Sequence, residues 1–493
     1  MENSTGKIKK LSIRTGMGMF LAMQRGTVRR TKIISTLGPA TDSAEMIGKL
    51  IDAGVNIFRL NMSHAPHDWV RRVVSDIRAA SGARKKFIGI MMDTQGPAIR
   101  TGDLGVPLDL QPGQKFTLTV RGERDLEQHS VDVNYENFVN DISVGDVVLI
   151  DNGAIEMKVL VKSGNKVECE VMTEGKLGSR RHINLPGVKV SLPALTAKDI
   201  KDVKLGLELR VDFIALSFVR EARDLMQLRE LFEDKNPPFV IAKIEDQEAI
   251  KNLEAIVQEA DGIMVARGDL GIEIPYEELP IVQRRIIKIC LRVGRPVIVA
   301  THMLESMIDS PMPTRAEVTD VANAVFEEAD AIMLSGETTV GKYPLKCIEV
   351  FDRIATRIER SGSAEYHLAA ELATARQKLV KSAVVMANEL KAAAILVFTR
   401  HGSMARYAGW MRPHYSPIYA ICDNEVCANE LTLNWGITGF VMPFDFIDPQ
   451  NTVEMAMKNL AEQGKLQKGE TVVIIGAISV GTEIVDAVQM RVV

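Results

Sequence analysis

The chain has 493 residues, 46% of them hydrophobic, with a formal charge of −4 and a pI of about 6.2. That length exceeds one ordinary core and suggests roughly three domains of about 150 residues each. The acidic balance argues against a dedicated nucleic-acid binder, whose domain would be basic, and no apolar run is long enough to span a bilayer.

Residues 1–27 stand apart. Lys7, Lys9, Lys10, Arg14, Arg25 and, just beyond, Arg29 and Arg30 face a single acid, Glu2. The stretch reads as a leader, disordered or peripheral, or as an extension ahead of a start at Met23. A transit peptide is the second reading, because acids are scarce there.

From Thr31 onward, short apolar runs alternate with amphipathic helical patterns. Lys32–Thr36, Asn56–Leu60, Phe87–Met92, Phe213–Ser217, Phe239–Ala242, Gly262–Val265, Val297–Ala300 and Ala331–Leu334 read as strands. Their nearly continuous apolar character suits parallel strands covered on both faces. Eight of them with helices between predict an α/β chain with a (β/α)₈ TIM barrel over 28–96 and 197–356. The gap after the third run has a different texture. Phe116–Val120, Val147–Ile150, Ile155–Val161 and Val167–Met172 are rich in β-branched residues and bounded by Gly, Asn and Asp, so 97–196 is expected to be an inserted all-β domain, built as a small β-barrel. Gly96-Pro97 and Asn184-Leu185-Pro186-Gly187 at its edges are hinge-like, and an insert at this place can act as a lid. A third unit, 357–493, alternates helix (Leu379–Leu390) and strands (Ala393–Thr399, Ile418–Cys422, Val472–Ile475), which predicts an open α/β domain. The five cysteines (Cys169, Cys290, Cys347, Cys422, Cys427) form no CxxC pair and read as reduced core thiols in a cytoplasmic protein.

A parallel barrel offers its chemistry at the C-terminal ends of its strands. Several runs end there in polar residues. The fifth ends Lys243-Ile244-Glu245 and the sixth runs into Ala266-Arg267-Gly268-Asp269. Glu245 and Asp269 are hard oxygen ligands suited to a divalent ion, and Lys243 is placed to face a charged oxygen or phosphoryl group beside it. Arg59, Asn61 and Ser63 alternate along the second strand and share one side, where a forked guanidinium suits phosphate or carboxylate. The third strand ends Asp93-Thr94-Gln95-Gly96-Pro97 with Arg100 beyond, and the seventh is followed by Thr301-His302. Each signal has a bland reading: Arg59 paired with Asp93 for structure, Glu245 or Asp246 as a helix cap, Asp269 as a turn residue. Convergence on one rim favours chemistry.

Seven runs carry a family likeness: TKIISTLGPA (31–40), FRLNMSH (58–64), KIE (243–245), MVARGDLGIE (264–273), MLESM (303–307), PTRAE (313–317) and MLSGET (333–338). In order and content they resemble the pyruvate kinase family over residues 28–493. The resemblance implies transfer of the phosphoryl group of phosphoenolpyruvate to ADP, giving pyruvate and ATP. It implies Mg²⁺ or Mn²⁺ held by Glu245 and Asp269, with Lys243 and Arg59 on the phosphoryl group. Backbone amides at Ala266, Arg267 and Gly268 would receive the substrate carboxylate, and Thr301 would lie where the enolate is protonated. Asn61, Ser63, Asp93 and Thr94 would hold K⁺, and Asn61, His64, Arg100 and Arg181 would lie on the nucleotide side. Ala98 stands where K⁺-dependent members carry Glu and independent ones Lys, while Thr94 is shared with the dependent group, so K⁺ dependence is expected. His302 stands where Gln is common.

The run Thr399-Arg400-His401-Gly402-Ser403 follows a strand and opens a helix, where free amides can cradle a phosphate; the alternative is an ordinary loop with a Ser cap. The resemblance makes it an effector site. The last loop, Gly476 to Gly481, lacks the Trp and Arg of fructose-bisphosphate-responsive relatives, which favours AMP or a sugar monophosphate. A Thr314 capping box lies in a region that the resemblance assigns to a homotetramer interface. Two other classes fit less of the pattern: a Mg²⁺-dependent barrel lyase or aldolase with no use for ADP, and a non-catalytic effector-binding relative.

Overall fold

The structure is a computed structural model that describes residues 28–120, 130–233, 236–445, 448–480 and 483–493. The leader expected over residues 1–27 lies outside the described residues.

Eight parallel strands close into a barrel in sequential order: β1 (Lys32–Thr36), β2 (Ile57–Asn61), β3 (Gly89–Asp93), β4 (Phe213–Leu216), β5 (Phe239–Ile244), β6 (Gly262–Ala266), β7 (Val297–Ala300) and β8 (Ala331–Leu334). β8 pairs back onto β1, Ala331 opposite Lys32. Alternate side chains fill the interior, among them Ile34, Ile57, Met91, Ile241, Met264 and Ile298. The intervening positions, such as Ile33, Phe58 and Ile90, pack outward against the helices. This double burial is why the runs read as continuously apolar. β2, β3, β5 and β6 each reach further toward the C-terminus than their apolar runs indicate. Asn61, Asp93, Lys243 and Ala266 therefore lie on ladder strands, which fixes their positions better than a loop would.

The insert leaves the barrel after β3 and returns at the helix Ala197–Glu208. Its ladders are a six-stranded sheet and a separate two-stranded one, Leu108–Leu110 with Gly175–Leu177, not one closed barrel. The longer strands, Ile155–Ser163 and Lys166–Val171, alternate buried and wet residues along much of their length around the insert's own core, including Phe116, Val148, Met157 and Cys169. Four short strands escaped the sequence reading (Leu108–Leu110, Ser130–Val133, Gly175–Leu177, Ile183–Asn184), each too brief to show a period. Departure and return of the insert are held together by Asp199. Its Oδ1 accepts the amides of Gln95 and Gly96, both at 3.1 Å, while Oδ2 completes the Thr196 capping box.

The C-terminal domain is a five-stranded sheet in the order β11-β10-β9-β12-β13, with β9 (Ala394–Thr399), β10 (Ile418–Cys422), β11 (Ile437–Val441), β12 (Thr471–Val480) and β13 (Glu483–Val492). The first four are parallel and β13 runs antiparallel to β12. Residues 476–480, read from the sequence as part of a loop, continue strand β12. β13 was missed because its polar residues interrupt any apolar run. Arg412 Nη1 ties this domain to the barrel through Asp330 at 3.0 Å, and the Lys32 ammonium at the foot of β1 donates to Ile437 O at 2.6 Å. No helix among the described residues is long and apolar enough to cross a membrane.

Candidate active site

The C-terminal rim of the barrel gathers its charges around Asp93, the last residue of β3. Asp93 is fully buried. Its Oδ2 accepts from Arg59 Nε on β2 at 2.5 Å, and its Oδ1 lies 3.1 Å from Lys243 Nζ on β5. Lys243 also reaches Glu245 Oε1 at 2.8 Å and donates to Ser217 Oγ at 2.7 Å. Arg59 Nη1 donates to Thr36 Oγ1 on the adjacent β1 at 3.1 Å. Ends of five consecutive strands are thus joined in one network. The local cause is the two-residue repeat: Lys243 and Glu245 are two apart and face one side of β5.

The electrostatics follow from burial and proximity. Burial alone would raise the Asp93 carboxyl, but Arg59 and Lys243 outweigh it and hold it below the usual range. Burial would lower the Lys243 ammonium, yet Asp93 and Glu245 raise it, so it stays charged. Glu245 goes the other way. Burial pushes it up to about 7 against the pull of Lys243, and the negative charge of Asp269 adds to the rise. Glu245 Oε2 accepts the Phe218 amide at 2.6 Å. Its Oε1 is buried with no donor in hydrogen-bond geometry, despite the ammonium nearby.

Asp269 sits in the first turn of the helix Arg267–Glu273 that starts at the end of β6, and its charge acts on Glu245, on Lys243 and on His182 of the insert. A carboxylate in a first helical turn is favoured by the helix dipole. At the end of β7, Thr301 and His302 both have left-handed backbones, φ 67° and 51°, a strained geometry of the kind that collects at functional sites. The strain is held by Arg267, whose guanidinium donates to Ala300 O (3.2 Å), Thr301 O (2.5 Å) and Asp320 Oδ1 (2.7 Å). Thr301 Oγ1 accepts the Gly268 amide at 2.7 Å. The Arg267 side chain is therefore structural, and the Gly268 amide is already engaged.

The expected monovalent-cation residues are adjacent. Asn61 lies opposite Asp93 across the β2–β3 ladder, and Asn61 Oδ1 accepts the Ser63 amide at 3.2 Å. Thr94 is buried and its hydroxyl accepts the Ser217 amide at 3.0 Å. The residues expected on the nucleotide side are more dispersed. His64 is exposed on the rim. Arg100 and Arg181 belong to the insert, where Arg100 Nη1 donates to Arg180 O at 3.2 Å and Arg181 pairs with Asp151 at 3.2 Å. Asp246 does cap a helix, its Oδ1 accepting Ala249 N at 2.8 Å.

Four contributors were not picked out from sequence. Ser217 ties β3 to β5, Phe218 donates to Glu245, and His182 stacks edge-on to Phe218 with centroids 6.1 Å apart. Glu273 receives Asn184 Nδ2 at 2.8 Å across the hinge and is pushed up to about 7 by burial. Ser217 was legible as a polar strand end; the others depend on contacts between insert and barrel. A cleft of about 160 Å³ lies between the two, lined by Pro97, His182, Phe218, Arg220, Asp246 and Glu273.

Residues 28–348 match the family described as "Pyruvate kinase, barrel domain", and residues 377–488 match "Pyruvate kinase, alpha/beta domain". The chain belongs to the pyruvate kinase family. It is 42% identical over 468 residues to plastidial pyruvate kinase 2 of Arabidopsis thaliana, covering 94% of this chain and 80% of that protein. It is 38% identical over 468 residues to pyruvate kinase of Staphylococcus aureus (strain MRSA252), covering 92% and 78%. A crystal structure of a pyruvate kinase from Cryptosporidium parvum superimposes with a TM-score of 0.89 at 34% identity, covering 95% of this chain and 97% of that one. Pyruvate kinases transfer the phosphoryl group of phosphoenolpyruvate to ADP and in general need Mg²⁺ and K⁺. The buried network of two cations and two carboxylates is the kind of site such a transfer asks for, because phosphoryl transfer depends on positioning and charge neutralisation.

Proposed function

We propose that the Asp93–Lys243–Glu245–Arg59 network is the phosphoryl-transfer centre of this pyruvate kinase. The observation that carries the reading is the buried Lys243 ammonium, held between Asp93 and Glu245. Lys243 steadies the moving phosphoryl group and Arg59 binds it from the β2 side. Thr301, fixed on a strained turn, lies where the enolate takes its proton. The amides at Ala266, Arg267 and Gly268 receive the carboxylate; the Gly268 amide does so by exchanging its bond to Thr301.

Glu245 and Asp269 are the residues for Mg²⁺ or Mn²⁺. Glu245 Oε1 is buried and meets only the Lys243 ammonium, and the nearby Asp269 charge raises the Glu245 carboxyl; two neighbouring carboxylates of this kind fit a divalent ion. When bound, the ion polarises the phosphoryl oxygens and offsets their charge. Asn61, Ser63, Asp93 and Thr94 are the K⁺ residues. Arg100 and Arg181 approach the nucleotide from the insert, with His64 and Asn61 opposite, and closure of the insert keeps water from acting as acceptor.

The loop 399–403 is read as the contact for a phosphorylated effector, AMP or a sugar monophosphate. Gly402, at φ 75°, caps the helix Ser403–Trp410 in place of the Ser expected from sequence, leaving the Ser403 hydroxyl uncommitted to capping. A homotetramer is the assembly that the resemblance favours. The test is pyruvate formation from phosphoenolpyruvate and ADP with Mg²⁺ and K⁺ present. Turnover that ignores ADP would point to a barrel lyase instead.

A further inference from the structure

Two thiols that read as independent core residues turn out to be neighbours. Cys422 ends β10, and Cys427 lies on the short helix Glu425–Glu430 that follows it. Asn424 caps that helix by accepting the Cys427 amide at 2.9 Å, which folds the chain into a tight corner. The corner brings the two sulfurs to 3.2 Å, with Cys427 Sγ donating to Cys422 Sγ. Both side chains are buried. A disulfide needs about 2.05 Å between sulfurs, so closing the pair asks for a shift of about 1 Å. Among the described residues no third His, Cys, Asp or Glu joins the two sulfurs in a metal-ligand group.

Cys427 also lines a polar cleft of about 520 Å³ between the foot of the barrel and the C-terminal domain, beside Arg400, Arg406, Asp423 and Glu430. The cleft is wide enough for a small oxidant.

We propose that Cys422 and Cys427 form a reversible intrachain disulfide with hydrogen peroxide or an alkyl peroxide as oxidant, making this corner a redox modification site. Cys427 as thiolate attacks one peroxide oxygen. The O–O bond breaks, giving a sulfenic acid at Cys427 and a hydroxide or alkoxide that takes up the thiol's proton. Cys422 then attacks the sulfenic sulfur, the S–O bond breaks, and the departing hydroxide takes the Cys422 proton. Two thiols and one hydrogen peroxide give one disulfide and two waters. The order of attack follows from access: Cys427 lines the cleft, whereas Cys422 is not part of its lining and is fully buried at the end of β10.

Closure tightens a segment that holds its neighbour. Asp423 Oδ2 accepts from Arg400 Nε at 3.1 Å, and Asn424 Nδ2 donates to Arg400 O at 3.4 Å. The corner is thereby linked to the backbone of the loop 399–403, whatever ligand that loop takes.

The test treats the full-length protein with hydrogen peroxide and maps peptides by mass without reduction. The expected result is a loss of about 2 Da in the tryptic peptide that carries both cysteines, reversed by dithiothreitol. In Cys422→Ser the loss is absent and dimedone traps a sulfenic acid at Cys427. Cys427→Ser should show neither. Amide hydrogen exchange over residues 400–403 should slow in the oxidised protein. Full alkylation of both thiols after peroxide, or sulfinic acid at both with no 2 Da loss, overturns the disulfide. Unchanged exchange at 400–403 in a protein shown to be oxidised overturns the link to the loop.

Discussion

Lys243→Met is the sharpest test of the charge network. The substitution removes an ammonium that lies 2.8 Å from Glu245 Oε1 and 3.1 Å from Asp93 Oδ1. Breaking a buried ion pair usually costs about 3–5 kcal/mol. Here the cost to folding should be smaller. Asp93 keeps Arg59 Nε at 2.5 Å, and Glu245 keeps the Phe218 amide at 2.6 Å. Glu245, already pushed up to about 7 by burial, can also take a proton near neutral pH at little expense. A stability loss of about 1.5–3 kcal/mol at pH 7 is expected, the scale of one lost charged hydrogen bond. Turnover has no such escape. Removing a preorganised charge from a phosphoryl centre should lower kcat by about 10²–10³, or roughly 3–4 kcal/mol. Without the ammonium the ion-free Glu245 carboxyl rises further, so protons compete better with Mg²⁺ there and, at subsaturating Mg²⁺, the ascending limb of the pH–rate profile should move to higher pH. Pyruvate release coupled to lactate dehydrogenase, followed from about pH 6 to 9, reads both effects, and urea unfolding reads the third. A folded variant within about threefold of wild type at every pH would refute the assignment of Lys243. A lower kcat on an unshifted profile would separate Lys243 from Glu245.

The other expectations concern different parts of the molecule. Thr301→Ala should lower kcat by about 10–10² through loss of a positioned hydroxyl while KM for phosphoenolpyruvate changes little; steady-state kinetics that show only a KM effect would count against a role in protonation. Replacing K⁺ by Na⁺ at constant Mg²⁺ should reduce turnover at least about tenfold, and undiminished activity would remove Asn61, Ser63, Asp93 and Thr94 from a cation site. Burial acts to raise Glu328, but His367, Arg412 and Ser363 outweigh it and hold it down at about 2. Its folded pKa lies below the ordinary 4.5, so its contribution is present above about 4.5 and is lost as pH falls toward 2. Glu328→Gln should therefore cost about 3 kcal/mol at pH 7 and much less near pH 2, and urea midpoints equal to wild type at both would contradict that ion-pair cluster.

The barrel was legible because its strands are covered on both faces, which writes them as unbroken apolar runs such as Ile33-Ile34 and Val297–Ala300. The polar residues that end those runs marked the rim where the charged network gathers. Their strand assignment was not legible, since Asp93 and Lys243 interrupt hydrophobicity without interrupting the ladder. What remained hidden depends on long-range packing. Nothing local to Arg180-Arg181-His182 or to Phe218 says that His182 and Phe218 meet, or that Phe218 faces Glu245. The network also turned two plain expectations into one arrangement: Arg59 does pair with Asp93, as the bland reading held, and that pair is itself part of the charged centre. β13 escaped because Asp486, Gln489 and Arg491 leave no run for a sequence reading to find.

The Asp199 clasp has a consequence for the architecture of the gene. Where the chain leaves the barrel, Gln95 and Gly96 are bonded to the first turn of the very helix on which it comes back. The intervening segment has its own core around Phe116, Val148 and Met157. Barrel and insert thus have separate cores, joined at this clasp and by contacts such as Asn184–Glu273 and His182–Phe218. A chain in which a few turn residues bridge Pro97 to Leu195 should still complete its ring of eight strands, and the excised segment is a candidate for independent expression.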